Sequence, residues 1–348
     1  MNSLQIAVAG AGLIGRAHIA LIRASSECRL STIVDPAPGA SAIAESAGVP
    51  LYSTLGELFS SQHPDGVILA TPNALHVAQG LECIAAGTAA LIEKPVADSV
   101  AEGFRLCEAA ERAGAKVLVG HHRLHSPLLA TACGIVQRGT LGRLVGVTGS
   151  AMFYKPEGYF DEAPWRRQPG GGPILINLIH EIGNLRALCG EIVAVQALAS
   201  NAVRGFPVED TVAISLRLAN GALGTFMLSD TAASARSWEQ TSQENPIYPT
   251  YPDEDCYLVV GTEGSLAVPT MRLKTYERKE DRSWWKPFQT AVAPVEREDP
   301  LARQLAHFCA MIRGEAKPRV TARDGLANLR VTEAIATAAR TGTTITLD

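Results

Sequence analysis

Two side chains stand out for the chemistry they can do. Lys94 sits between Glu93 and Pro95, directly after the apolar run AALI. An ammonium held at such a point polarises a substrate oxygen and lowers a hydroxyl's pKa. The plain alternative is a solvated surface lysine, the commonest fate of that residue. His180 follows a run of three glycines, Gly170 to Gly172, inside an otherwise apolar helical pattern. Imidazole is the side chain best matched to proton transfer near neutral pH. Asn177, His180, Glu181 and Asn184 recur at i, i+3, i+4 and i+7, so the spacing predicts one polar face. The plain alternative is the solvent side of an amphipathic helix.

A second constellation points to a dinucleotide. Gly10-Ala11-Gly12-Leu13-Ile14-Gly15 follows a strand-like run and opens a helix-like one. In that context Gly10 permits a tight turn and Gly12 lets backbone approach a pyrophosphate. Gly15 allows close helix–strand packing. The helix start offers N–H groups and partial positive charge to phosphates. Asp35 ends the next apolar run, where a carboxylate accepts from ribose hydroxyls and repels a 2′-phosphate. NAD is therefore expected, with NADP less favoured. Asp35-Pro36 as simple turn chemistry is the plain alternative.

Ligands of open parallel sheets lie beyond the carboxyl ends of the strands. Thr71-Pro72-Asn73 and His76 follow GVILA, Glu93-Lys94-Pro95 follow AALI, and His121-His122-Arg123 follow KVLVG. Caps and loops explain each set singly, Asn73 as a helix cap for example. A polar set at every strand end favours a binding edge.

The elements that must position these groups follow from periodicity. Continuous apolar runs at 4–9, 29–34, 66–70, 89–92 and 116–120 alternate with helix-length segments. Runs apolar throughout suit strands covered on both faces, and the alternation predicts a doubly wound parallel α/β sheet. After residue 123 the pattern changes to a connecting helix and then alternating strands at 142–153, 192–200, 211–219, 221–229 and 255–261. Two helices near 297–313 and 323–341 close the chain. The segment 237–255, carrying Trp238, Tyr248 and Tyr251, has no period and reads as a long loop, either a candidate lid or a segment reaching a neighbouring subunit.

At 348 residues the chain suits two domains. The expected division is a nucleotide-binding domain over 1–122 and a substrate-binding, oligomerising domain over 123–348, with the C-terminal helix packing back on the first. With 47% hydrophobic and 19% charged residues it is globular in composition. A net charge of −4 without any basic run argues against nucleic-acid binding. The amino terminus shows no cationic leader, and no apolar run reaches the ~18 residues of a membrane span. Seven scattered cysteines without a C-x-x-C pair suit a reducing, cytoplasmic setting. No metal site is expected.

The glycine fingerprint, T-P-N-x-x-H at 71–76, E-K-P at 93–95 and the glycine-led helix bearing His180 together resemble the Gfo/Idh/MocA oxidoreductases. The resemblance spans nearly the whole chain. It implies an N-terminal Rossmann domain and a C-terminal α+β domain with a large, mostly antiparallel open sheet that mediates dimers or tetramers. It also implies that Lys94 lies near the nicotinamide and the reacting carbon, and that His180 is the general acid/base. Thr71, Pro72, Asn73, His76, Glu93 and His122 would line the cofactor. Lys94, Arg123, Trp165, Arg166, Asn177 and His180 would meet the substrate. His122-Arg123 stands where the family usually has Asn-Arg. Many members carry an aspartate four residues before the histidine, and here that position is Ile176. Either Asn177 supplies the imidazole's polar partner or the enzyme works without that dyad.

The function expected is NAD-dependent hydride transfer at a secondary alcohol of a sugar, polyol, cyclitol or hydroxy acid. Arg166 or Arg167 would hold a substrate carboxylate or phosphate. One rival is an isomerase or glycosidase using transient oxidation on held NAD. Another is a non-enzymatic NAD-sensing regulator, which would have no use for an acid/base pair.

Overall fold

A computed structural model describes residues 3–347. Met1 and Asn2, the start of the stretch read as leaderless, and Asp348 lie outside the described residues. The chain forms two compact units. One runs to His125 and resumes at Pro300–Leu329, and the other comprises Ser126–Asp299 and Arg330–Asp348.

In the first unit, β1 (Leu4–Ala9), α1 (Leu13–Ala24), β2 (Cys28–Val34), α2 (Ala40–Ala47), β3 (Leu51–Tyr52), α3 (Leu55–Ser61), β4 (Gly66–Leu69), α4 (Asn73–Ala85), β5 (Ala89–Glu93), α5 (Val100–Ala113) and β6 (Val117–Gly120) follow in order. The sheet order is β3-β2-β1-β4-β5-β6, and every pairing is parallel. Leu69, Leu91, Ile92 and Leu118 have no exposed surface, which is why these strands are apolar on both faces. Strand order reverses between β1 and β4, so the crevice at their carboxyl ends is the topological switch point. Helix limits follow local chemistry. The Ser99 hydroxyl accepts from Glu102 N–H at the start of α5, and Gly114 ends it in the left-handed region. β3, two residues long, is too short to leave a periodic signature.

The second unit contains α6 (Pro127–Gln137), β7 (Leu144–Met152), α7 (Glu157–Asp161), α8 (Ile179–Cys189), β8 (Ile192–Ser200), β9 (Thr211–Leu218), β10 (Leu223–Ser229), α9 (Trp238–Thr241), β11 (Tyr257–Gly261), β12 (Gly264–Val268), β13 (Arg272–Thr275) and β14 (Gln289–Val292). Its sheet has nine strands in the order β14-β13-β12-β11-β7-β10-β9-β8-β15, antiparallel except for β10 on β7. The long helices are α10 (Pro300–Arg313) in the first unit and α11 (Ala322–Thr341), which runs from the first unit into the second before β15 (Ile345–Thr346). Alternation sorts the central strands. Phe226, Val212, Ile214 and Val259 are buried, whereas Leu223, Met227 and Leu258 on the opposite side are exposed. Among the described residues, no helix is long and apolar enough to cross a membrane.

Candidate active site

The glycine loop is built by close backbone approach. Gly10 has φ +91°, and a Cβ there would stand 2.5 Å from the Ala70 carbonyl oxygen at the end of β4. A Cβ on Gly15 would stand 1.9 Å from the Gly10 carbonyl oxygen, so only glycine lets α1 start this close to the sheet. Gly12 differs, because nothing lies within 4 Å of its missing side chain. That open face adjoins the α1 N-terminus, which has no side-chain cap, beside exposed Leu13 and half-buried Ile14. Asp35 stands alongside. Its Oδ2 accepts from Ala11 N–H at 2.7 Å and its Oδ1 from Ala37 N–H at 2.8 Å. Two backbone donors thus hold a carboxylate at the loop, with acceptor capacity left for hydroxyls. An uncapped helix start, an open glycine face and a fixed carboxylate fit a dinucleotide's pyrophosphate and ribose.

Along the same sheet edge the polar residues divide. Thr71 Oγ1 donates to Gln79 Oε1 at 2.6 Å. Pro72 is the cap position of α4 and Asn73 its first residue, so Asn73 does not act as the cap. His76 is a buried brace. One ring nitrogen meets the Pro95 carbonyl at 2.7 Å and the other the Thr71 carbonyl at 2.9 Å, tying the loop after β4 to the loop after β5. Glu93 turns inward, where Oε1 meets His18 Nε2 of α1 at 2.8 Å and Oε2 accepts from Lys94 N–H at 3.2 Å. Burial alone pushes the Glu93 carboxyl up. The hydrogen bond and charge of His18, with His122 and Lys94 nearby, outweigh it and set its pKa below the usual carboxylate value. Lys94 and His122 are half-buried at this edge, and Arg123 is buried. His121 is buried against Asn328 of α11, at 3.1 Å.

In the second unit the predicted single helix begins with one π-helical turn, Ile174–Leu178, before α8. Such turns insert a residue into the α register and frequently mark functional sites. The polar face read from the sequence is therefore split. Glu181 and Asn184 are buried toward the sheet, where Tyr257 hydroxyl donates to Glu181 and Asn184 Nδ2 donates to Tyr257 oxygen at 3.0 Å. His180 and Asn177 remain half-buried, and Asn177 Oδ1 accepts from Lys155 Nζ at 2.7 Å. The solvent-face alternative does not hold for this helix. Trp165 is exposed, and the Arg166 guanidinium stacks 3.8 Å from the Tyr159 ring centroid. Arg167 pairs with Asp161. The lid expectation needs correction at Trp238. This side chain is 1% exposed, packs on Tyr257, and donates from Nε1 to buried Glu244 at 3.1 Å. Tyr248 and Tyr251 keep about half their surface exposed.

Residues 4–121 match the oxidoreductase family with an NAD-binding Rossmann fold, GFO_IDH_MocA, and residues 129–267 match the GFO/IDH/MocA C-terminal domain. The chain belongs to the Gfo/Idh/MocA family. Its N-terminal domain is an NAD-binding Rossmann domain of an oxidoreductase family. It is 27% identical to the rhizopine catabolism protein MocA of Rhizobium meliloti, over 96% of this chain and 94% of that one. It is 24% identical to inositol 2-dehydrogenase of the same species, over 95% and 96%. The WlbA dehydrogenase of Bordetella pertussis, solved with NADH and UDP-GlcNAcA, superimposes with a TM-score of 0.78 at 25% identity, over 100% and 99%.

This Gfo/Idh/MocA chain also holds polar residues that sequence reasoning passed over. His18 looks like one more position of α1 until the fold sets it against Glu93. Lys155 and Asp230, 3.3 Å apart, lie at the ends of different strands. No spacing rule joins them. Each is a lone charge after a strand, which carries no signal by itself.

Proposed function

We propose that this Gfo/Idh/MocA protein is an NAD-dependent dehydrogenase acting on a secondary alcohol of a sugar, polyol, cyclitol or hydroxy acid, with Lys94 and His180 as its catalytic pair. The observation that carries the reading is the position of Lys94. It is the residue after β5 on the sheet edge that also holds the Gly10–Gly15 loop and Asp35, and its backbone N–H is fixed by buried Glu93. A held ammonium there stabilises negative charge as it develops on the substrate oxygen. His180 takes the hydroxyl proton, and its half-buried position on α8 suits exchange of that proton with water. Bound NAD supplies the hydride acceptor. Asp35 meets the adenosine ribose and disfavours a 2′-phosphate. Thr71, Asn73 and His122 line the cofactor, with His76 and Glu93 bracing the loops that carry them. Arg123 and Trp165 complete the substrate contacts.

A panel of sugars, cyclitols and sugar acids, incubated with protein and NAD, is expected to yield NADH with at least one member, read by nicotinamide absorbance. Turnover of substrate without accumulating NADH overturns the reading in favour of transient oxidation. NAD binding with no turnover of any member favours a sensing role.

We also propose that the exposed side of the nine-stranded sheet joins copies of this chain. Leu198, Leu223, Met227 and Leu258 stand exposed on it, and Thr148, Ala213, Ser215 and Thr225 fill the rows between them without charge. Arg217, paired across from Leu223, puts a charge at the end of this patch, and an otherwise uncharged surface with exposed apolar residues marks an association face. Light scattering is expected to show a dimer or tetramer that Met227→Lys dissociates. A monomeric wild type overturns this.

A further inference from the structure

Lys155 follows β7 and is 8% exposed, and the proposed catalytic pair does not use it. Its Nζ donates to Asn177 Oδ1 at 2.7 Å and lies 3.3 Å from Asp230 Oδ2. The Tyr159 ring centroid is 4.9 Å away. An ammonium has three donors, and these two polar partners take two. Asp230 is shared, because Arg204 Nε lies 3.1 Å from its Oδ1. Arg166 stacks on the same Tyr159 ring at 3.8 Å, and its Nε is buried with no partner among the described residues.

Arg166 is the cation that no carboxylate covers. Lys155 and Arg204 share buried Asp230, Arg204 also meets the exposed Glu157, and the Arg204 backbone N–H donates to buried Asp210 Oδ2 at 2.9 Å. Burial pushes the Glu209 carboxyl, near Lys155, up. Arg166 forms no ion pair among the described residues and its buried Nε is unpartnered, while Lys155 keeps one donor, an arrangement that marks a binding site. Asn177 points the same way. Its oxygen faces Lys155, so its amide N–H₂ is the end left to meet a ligand acceptor.

We infer that Lys155, Arg166 and the Asn177 amide form a subsite for a carboxylate on the substrate, making aldonic or uronic acids the preferred substrates over neutral sugars and polyols. The inference rests on the dehydrogenase reading and narrows its substrate class. A guanidinium presents paired donors to a carboxylate, and the ammonium adds charge in a site that excludes water.

The test compares a hexuronate, its neutral parent hexose and the hexose phosphate. With NAD and wild-type protein, kcat/KM for the hexuronate is expected to exceed that for the parent by about 10–100-fold, the scale of one or two charge-assisted hydrogen bonds. In Lys155→Met and in Arg166→Gln that ratio falls toward one. Burial holds the Lys155 pKa at about 8, with Asp230 raising it and Arg166 and Arg204 lowering it. The wild-type ratio therefore falls as pH rises through 8, while Tyr159, pushed up by burial, stays neutral. A binding readout is independent of turnover. With NAD present, the hexuronate raises the thermal midpoint of wild-type protein more than its parent does, and Arg166→Gln abolishes the difference. Arg166 is only half-buried, so this variant decides the matter even if Lys155→Met does not fold. Equal ratios and equal midpoints for acid and parent, or a preference for the phosphate, overturn the inference. Failure of all three compounds to yield NADH, with the hexuronate still stabilising the protein, overturns the dehydrogenase reading and leaves the subsite standing.

Discussion

Lys94→Met is expected to lower kcat/KM by about 10²–10⁴-fold while leaving NAD affinity within a few-fold of wild type. The magnitude follows from what the ammonium does. It meets charge that develops on the substrate oxygen only as the reaction proceeds, so its loss falls mainly on kcat and little on ground-state binding. Methionine keeps the length and apolar stem of lysine, and the bond from residue 94 N–H to Glu93 Oε2 comes from backbone, so the loop survives the change. His180→Ala is expected to cause a loss of similar size by removing the proton acceptor. Because both groups serve one step, the double variant should lose far less than the product of the two single losses. Steady-state kinetics together with NADH titration distinguish this outcome from a folding defect. Near-wild-type kcat in either variant removes that residue from the chemistry.

Particular residues show how much of this was legible in the sequence. Strands β1, β4, β5 and β6 are readable because burial on both faces demands runs of apolar residues, as at Ile6, Val67, Leu91 and Leu118. The glycine loop is readable because its demands are local. Gly10 needs a positive φ and Gly15 needs a missing side chain, both within six residues. The π turn at Ile174–Leu178 is not readable, since a spacing argument built on 3.6 residues per turn assigns Asn177 to the same face as Glu181 and Asn184. Lys155 is not readable for a different reason. As a lone charge at a strand end it resembles any surface lysine, and its meaning arises only when β10 delivers Asp230 and the π turn delivers Asn177. Trp238 failed in the opposite direction. A tryptophan in an aperiodic proline-rich stretch looks like a lid residue, but Glu244 lies close enough in sequence to satisfy its indole N–H inside the core.

Glu93 is expected to show the largest effect on stability, and the effect should depend on pH. Its carboxylate is buried between His18 and the Lys94 N–H, at 2.8 and 3.2 Å. A Cβ on Gly120 of β6 would stand within about 3 Å of the same carboxylate, so no side chain from that strand can replace it. Glu93→Ala leaves the His18 ring buried without its partner and opens a void, which should cost about 3–5 kcal/mol of unfolding free energy. Glu93→Gln keeps the shape and an acceptor oxygen for His18 but abolishes the titration. The carboxyl's folded pKa is lowered relative to its ordinary value. Its contribution to stability is therefore complete above the unfolded pKa of about 4.3 and is lost as pH falls through the lower folded value. Thermal unfolding from neutral pH down to about 3 should thus show wild type more stable than Glu93→Gln at neutrality, with the gap closing on acidification. A gap that stays constant with pH would mean that Glu93 contributes shape rather than charge. The same pair bears on catalysis, because Glu93 anchors the backbone of Lys94 and His18 ties that anchor to the helix after the glycine loop. A destabilised Glu93 variant should for this reason also loosen NAD binding, which the Lys94→Met variant does not.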